Sequence, residues 1–248
     1  MNKYQKAVKL IKSSSHITGF TGAGISVESG IPPFRGENGI WSKYDPGILY
    51  INSLYNNPDT TWKHIKEIFY DFFGKAKPNE AHKILAKMEK EGLLETIITQ
   101  NIDNLHQDAG SKNILEFHGN SRELICLECG ERYKINNSIF DNMPPLCKNC
   151  GGILKPDFVF FGESIPEPAR KLSFKEAELA DLFIVIGTTG EIQPASLIPL
   201  IAKENGAKII EINTDKSNYT DNITDIFLQE KATDAMQKLF AELSTKGD

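Results

Sequence analysis

Four cysteines stand in two close pairs, Cys126-Leu-Glu-Cys129 and Cys147-Lys-Asn-Cys150, with seventeen residues between the pairs and no cysteine elsewhere. Two such knuckles can present four thiolates at the corners of a tetrahedron, and the spacing lies in the range of zinc ribbons. Gly130 and Gly151 follow the second cysteine of each pair, where the backbone has to turn tightly around an ion. Four buried or redox-active thiols are the alternative. A four-thiolate site has no open position for a substrate, so the pattern predicts a structural Zn²⁺ held by Cys126, Cys129, Cys147 and Cys150. Reaction chemistry must then come from other residues.

Several short segments offer it. Gly22-Ala23-Gly24-Ile-Ser26 has the glycines that let a backbone approach a phosphate at the start of a helix, although Val27 stands where a third glycine is usual. A plain tight turn explains the same residues. Phe34-Arg35-Gly36 follows Ile31-Pro32-Pro33, and an arginine after a stiffened loop suits an anion, or simply solvent. Gln100-Asn101-Ile102-Asp103 provides donors and acceptors for an amide and for sugar hydroxyls. It also reads as a capped helix start, with Asn101 or Asp103 as the N-cap and Gly110 as the stop. His118, in Leu115-Glu-Phe-His118-Gly119, suits a general base near neutral pH, while a lone histidine also serves structure. Gly187-Thr188-Thr189 and Asn213 suit the ribose and adenine end of a dinucleotide, or routine strand-end turns.

These segments have a common placement. His16–Phe20, Leu94–Thr99, Asp181–Ile186 and Lys208–Ile212 read as strands, and 1–12, Glu80–Gly92 and Ala195–Asn205 as helices. Strands alternating with helices predict an α/β fold with a doubly wound parallel sheet, whose ligands bind beyond the carboxyl ends of the strands. Gly22–Ser26, Gln100–Asp103, Gly187–Thr189 and Asn213 lie just past such ends. Two stretches break the alternation: the aromatic-rich 36–77 and the cysteine-bearing 121–156. They are expected to form a smaller module, leaving 1–35, 78–120 and 157–248 as the larger domain. The glycine-flanked segment 36–77 is also expected to close over the cleft when a ligand binds.

With 248 residues, the chain can bury a substantial core, and 40% hydrophobic with 25% charged residues is ordinary for a globular protein. A formal charge of −5 argues against a dedicated nucleic-acid binder. No apolar run reaches the roughly 20 residues that span a bilayer, and the lysine-interrupted start is not a secretory signal. A cytoplasmic protein is expected, without membrane or direct nucleic-acid partners.

No single motif settles the function, but their order resembles the sirtuins. The resemblance is carried by GAGIS at 22–26, SGIPPFRG at 29–36, KPNEAH at 77–82 and TQNIDNLHQDAG at 99–110. FHGN at 117–120, the cysteine pairs, FVFFGE at 158–163 and GTT…QPA at 187–195 complete it. It spans about residues 16–213, and it implies a Rossmann-like NAD-binding domain with an inserted small domain made of zinc and helical modules. It further implies NAD-dependent removal of acyl groups from protein lysines. In that chemistry the acyl oxygen attacks C1′ of the nicotinamide ribose, nicotinamide leaves, and O-acyl-ADP-ribose forms.

Carried over by motif, His118 is the base, and Asn101 orders the ribose and the attacking groups. Ser26, Asn101 and Asp103 form the nicotinamide end, while Gly22, Ala23, Gly24, Phe34, Arg35, Gln100 and Ile102 line the NAD site. Gly187, Thr188, Thr189, Asn213 and Ala232, beside Lys231, hold the adenosine half. Val159, Phe160 and Gly162 pair with the substrate backbone as an added strand, with Phe161 and Glu163 in the same loop.

Relatives that take acidic acyl groups carry a Tyr-x-x-Arg pair in the helical module, where Ile65 and Ile68 align here. An acidic acyl tail would meet no cation there, so a neutral acyl group, acetyl first, is expected. The sequence departs from the family pattern at Pro33 and at Glu191. The alternatives are an NAD hydrolase or ADP-ribosyltransferase using the same pocket, and a zinc-ribbon module that binds NAD without turnover. The partner expected is an acyl-lysine protein or peptide, and the oligomeric state expected is a monomer.

Overall fold

The computed structural model describes residues 1–36 and 39–245; the parts of the predicted domains that fall on residues 37, 38 and 246–248 lie outside the described residues. Helix α1 (Lys3–Ser13) is fixed at its start by a reciprocal cap, in which Asn2 Oδ1 accepts from Gln5 N and Gln5 Oε1 accepts from Asn2 N. Strand β1 (Ile17–Thr21) follows, buried at every position. The chain continues through α2 (Ile51–Asn56), α3 (Pro58–Ile65) and α4 (Glu80–Lys90) to β2 (Thr96–Thr99). Next come α5 (Leu105–Ala109), β3 (Ile114–Glu116), β4 (Gly119–Cys126), β5 (Arg132–Lys134) and β6 (Leu154–Phe158). The last part contains α6 (Ala169–Leu179), β7 (Leu182–Ile186), α7 (Leu197–Glu204), β8 (Lys208–Asn213), β9 (Ile226–Gln229) and α8 (Ala232–Ser244).

Six strands form one sheet in the order β3-β2-β1-β7-β8-β9, and every neighbouring pair is parallel. This is the predicted doubly wound arrangement. The order reverses between β1 and β7, so a crevice opens there at the carboxyl ends of the strands. β1 and β7 are each buried along their whole length, as strands covered by helices on both faces must be. One face packs on α1, α4 and α8 through residues such as Ile11, Leu85, Ile184 and Met236. The other packs on α6 and α7 through Phe20, Phe183, Ala177 and Ile198.

The four predicted strands appear as β1, β2, β7 and β8, and the three predicted helices as α1, α4 and α7, with ends shifted by one or two residues. Ala81, Ile84, Leu85 and Met88 form the buried face of α4, as their spacing requires. Two readings need correction. The helix expected after Gly22-Ala-Gly24 is a short 3₁₀ segment, Ala23–Ser29, closed by Gly30 at φ 89°. The helix α5 is preceded by Asn104 at φ 66° and not capped by Asn101; Asp103 Oδ1 still accepts from Leu105 N, and Gly110 ends the helix at φ 105°.

A second, antiparallel sheet has the order β5-β4-β6 and carries the cysteine knuckles at its end. Its apolar side merges with the helical segment. Trp62, Ile65, Ile68 and Phe69 share one cluster with Leu124, Cys126, Cys147, Leu154 and Phe158. Trp62, fully buried, donates its indole N–H to Leu154 O at 2.8 Å. Among the described residues no helix is long and apolar enough to cross a membrane.

Candidate active site

The crevice at the reversal of strand order is a cavity of about 1230 Å³. Its floor is made by two strand-end turns that touch through their backbones. Gly22 N donates to Ile186 O at 3.0 Å and Gly24 N to Gly187 O at 2.8 Å. A Cβ on Gly24 would lie 2.5 Å from Gly187 Cα, and Gly187 itself sits at φ 63°. Glycine is therefore required at both turns, so that β1 and β7 can close the floor.

The segment after β2 crosses this floor. Gln100 Nε2 donates to Thr188 Oγ1 at 3.1 Å, tying the end of β2 to that of β7. Asn101 Nδ2 donates to Gly22 O at 3.1 Å and to Ser26 Oγ at 3.3 Å. Ser26 Oγ in turn donates to Asp103 Oδ2 at 2.7 Å. Burial raises the Asp103 carboxyl pKa, against the hydrogen bonds from Leu105 N–H and Ser26 that lower it. Ser26 and Asp103 stand behind Asn101, which lines the cavity together with Gln100 and Ile102.

Beneath them lie two buried imidazoles in edge-to-face contact, His82 and His106, with centroids 4.9 Å apart. Burial lowers the His82 pKa to about 4, and it pushes His106 well below the ordinary value, with His82 adding to the shift. His106 Nε2 lies 2.9 Å from Thr21 Oγ1, and His82 Nε2 lies 3.5 Å from Ser26 Oγ.

His118 follows β3 and lines the cavity wall. Its Nδ1 is 3.0 Å from Gln100 O. A carbonyl only accepts, so this contact assigns the proton to Nδ1 and leaves the Nε2 lone pair for a substrate. Burial lowers the imidazole pKa, and the contact with Gln100 O opposes that shift.

Gly22, Ala23, Gly24, Phe34, Arg35, Gly187, Thr188, Thr189, Asn213 and Ala232 all line the same cavity. Asn213 Nδ2 donates to Thr188 O at 3.0 Å, and Arg35 Nη1 lies 3.2 Å from Glu191 Oε2. Val159, Phe160, Phe161, Gly162 and Glu163 line the opposite wall. Phe160, however, spends its backbone inside its own loop: its N–H is donated to Glu163 Oε2 and its C=O accepts from Glu163 N. Ile65 and Ile68 do not line the cavity, because both are buried in the cluster around Trp62.

The sequence reading missed several lining residues. Thr214, Asp215 and Lys216 follow β8, and the strand-end rule that selected Asn213 could have found them. Glu230 follows β9, a strand the reading did not foresee. Arg170 belongs to the start of α6 and Glu167 stands just before it, where no recognised signal lay.

Away from the cavity, the four cysteine sulfurs lie within 4.8 Å of one another. Cys126 Sγ is 3.5 Å from Cys150 Sγ, and Cys129 Sγ is 3.6 Å from Cys147 Sγ. Gly130 and Gly151 have φ values of 74° and 79°, the left-handed turns that two knuckles need. A set of four thiols converging on one point fits a tetrahedral Zn²⁺.

Comparison with known proteins agrees with this geometry. A family model described as the Sir2 family matches residues 22–194. An NAD-dependent protein deacylase from Aquifex aeolicus is 44% identical, over 93% of this chain and 96% of that protein. An NAD-dependent protein deacetylase 1 from Pyrobaculum aerophilum is 41% identical, over 98% and 95%. A mutant Sir2 homologue solved with ADP-ribose matches the whole of both chains with a TM-score of 0.93 and 37% identity. A mutant Sir2 solved with a deacetylated p53 peptide and 3′-O-acetyl ADP-ribose matches 97% of this chain and 98% of that one, with a TM-score of 0.91 and 36% identity. Family match, near-full-length relatives and superposable structures lead to one conclusion: the chain belongs to the Sir2 family.

Proposed function

We propose that this protein removes acetyl and other neutral acyl groups from lysine side chains of proteins, consuming NAD and releasing nicotinamide and O-acyl-ADP-ribose. The observation that carries the proposal is His118, whose Nδ1–H is held by Gln100 O while its ring faces the same cavity as Asn101 and the glycine floor. A site that only bound a dinucleotide would have no use for a base so placed. The near-full-length deacylases and deacetylases among the relatives support the same reading.

NAD would supply a bond from ribose C1′ to a cationic pyridinium ring, which is cleavable because the ring leaves as neutral nicotinamide. The side-chain-free turn at Gly22–Gly24 lets its phosphates approach the backbone closely, with Arg35 as counter-charge. Thr188, Thr189, Asn213 and Ala232 receive the adenosine half. Asn101, oriented by Gly22 O and Ser26 Oγ, orders the nicotinamide ribose, and Asp103 holds Ser26 from behind. His118 Nε2 takes the proton from a ribose hydroxyl. Ile102 and Phe34 exclude water from the reacting end. Ile65 and Ile68 stand where relatives that take acidic acyl groups carry Tyr-x-x-Arg, and both are buried away from the cavity, so that segment brings no cation to an acyl tail and acetyl-lysine is preferred over succinyl-lysine. Cys126, Cys129, Cys147 and Cys150 would hold a Zn²⁺ that ties the small sheet together without touching the reaction.

The division into a nucleotide-binding part, 1–35, 78–120 and 157–248, and a smaller part, 36–77 and 121–156, is supported by the cluster that joins Trp62 to Leu124 and Leu154. Four unpaired thiols converging on a metal position suit the reducing cytoplasm.

The deciding experiment measures nicotinamide release from NAD with and without an acetyl-lysine peptide, alongside His118→Ala. Release that requires the peptide and collapses in the variant is expected. Peptide-independent release would replace the reading with an NAD hydrolase or transferase, and a higher kcat/KM on succinyl-lysine would overturn the acyl preference.

A further inference from the structure

Lys155 is a buried lysine outside the cavity, with 7% of its side chain exposed. All three ammonium protons have partners. Nζ donates to Pro156 O at 2.9 Å and to Phe158 O at 2.6 Å, and it lies 3.0 Å from Glu163 Oε2. It also sits over the Phe160 ring, 4.7 Å from the centroid. A buried ammonium is costly unless every donor is used, and here all three bind oxygens belonging to one short segment, 156–163.

The consequence falls on the cavity wall. The Glu163 oxygen that meets Lys155 also accepts the Phe160 N–H at 2.7 Å, while Glu163 N donates to Phe160 O at 3.0 Å. Val159 N donates to His118 O, Phe161 N to Leu49 O, and Phe161 O accepts from Ile51 N. Among the described residues, the backbone groups of 159–162 left without a partner are Val159 C=O and both groups of Gly162. An incoming extended peptide therefore finds a short, defined edge, not a whole strand.

We propose that Lys155 is the positioning residue for this edge: by anchoring the Glu163 carboxylate it closes the Phe160–Glu163 turn and aims Val159 C=O and the Gly162 amide at the substrate peptide. The inference rests on the acyl-lysine reading above and adds the device that orients the substrate's backbone. Lys155 touches neither NAD nor the reacting atoms, so its effect is on peptide binding.

The test uses the full chain with Lys155→Met, which keeps the stem and removes the charge and donors, and Lys155→Arg, which keeps both. Binding of a fluorescent acetyl-lysine peptide is read by anisotropy in the presence of ADP-ribose, and KM values for peptide and NAD are read from nicotinamide release. For Lys155→Met, peptide Kd and KM are expected to rise about tenfold, the size of one lost charge-assisted anchor, with the NAD KM moving less than about twofold. Lys155→Arg is expected to recover most of the peptide affinity. Unchanged peptide affinity in Lys155→Met, or an Arg variant as impaired as Met, overturns the proposal. If Lys155→Met shows no cooperative melt, Glu163→Gln carries the same test: a rise confined to peptide Kd supports the clamp, and no rise overturns it. Wild-type protein that binds the peptide without peptide-dependent nicotinamide release defeats the deacylase reading, and the anisotropy series still decides the clamp.

Discussion

At the scale of single residues, protonation states carry the most consequence. His118 has its pKa lowered by burial, so its base form persists through neutral pH and below the ordinary histidine value near 6.5. A lowered pKa means that activity falls only as pH drops through the lowered value. The acid limb of a kcat/KM profile is therefore expected below pH 6.5, and His118→Ala is expected to reduce kcat/KM by about 10²–10⁴. His82 acts on stability instead. It is held neutral in the fold with a pKa of about 4, whereas in the unfolded chain it takes up a proton near 6.5. The unfolded state thus binds more protons between those values, and stability declines as pH falls from about 6.5 to about 4, then levels off. The part owed to His82 is on the order of 3 kcal/mol, and urea midpoints across that range should fall less in His82→Gln than in the wild type, with the part owed to buried His106 remaining.

At the scale of elements, the small sheet depends on its knuckles. β5 and β6, the partners of β4, are short, and Cys126 and Cys147 are part of the apolar cluster that also holds Trp62 and Leu154. A strong chelator is expected to lower the melting temperature, and Cys129→Ala to reduce bound zinc from about one ion per chain to near none, as metal analysis would show. A metal-free protein with an unchanged melting temperature would contradict this. The elements most legible in the sequence were those with unambiguous local physics. The almost continuous apolar run of β7 reads as a covered strand, and α4 announces itself by an apolar face at 81, 84, 85 and 88 and by Gly92 after it. β9 has four residues and sits at the sheet edge, too short for a period to register. α8 went unread although Ala235, Met236 and Leu239 lie on one buried face, so its periodicity was present. Of the site, the floor and His118 were legible because strand ends locate them. The turn formed by Phe160 and Glu163 was not, since it depends on Lys155, whose burial no local pattern reveals.

At the scale of the whole molecule, the cavity exists only because two halves of the sheet meet. Gly24 and Gly187 touch backbone to backbone, and nothing flexible lies between them to move aside. Gly24→Ala is expected to cost about 1–3 kcal/mol through overpacking and to abolish ADP-ribose binding by spreading the floor, which calorimetric titration against wild type would reveal. The same arrangement sets a timetable for synthesis. β1 leaves the ribosome well before β7, yet it lies in the middle of the sheet, with β2 on one side and β7 on the other. Until β7 is translated, about 160 residues after β1, a strand destined for burial waits with one edge bare, and the last lining residue, Ala232, comes later still. Such long-range pairing folds slowly and exposes a sticky edge meanwhile. A nascent chain stalled before Leu182 has no nucleotide pocket and must be shielded from its neighbours until the second half of the sheet arrives.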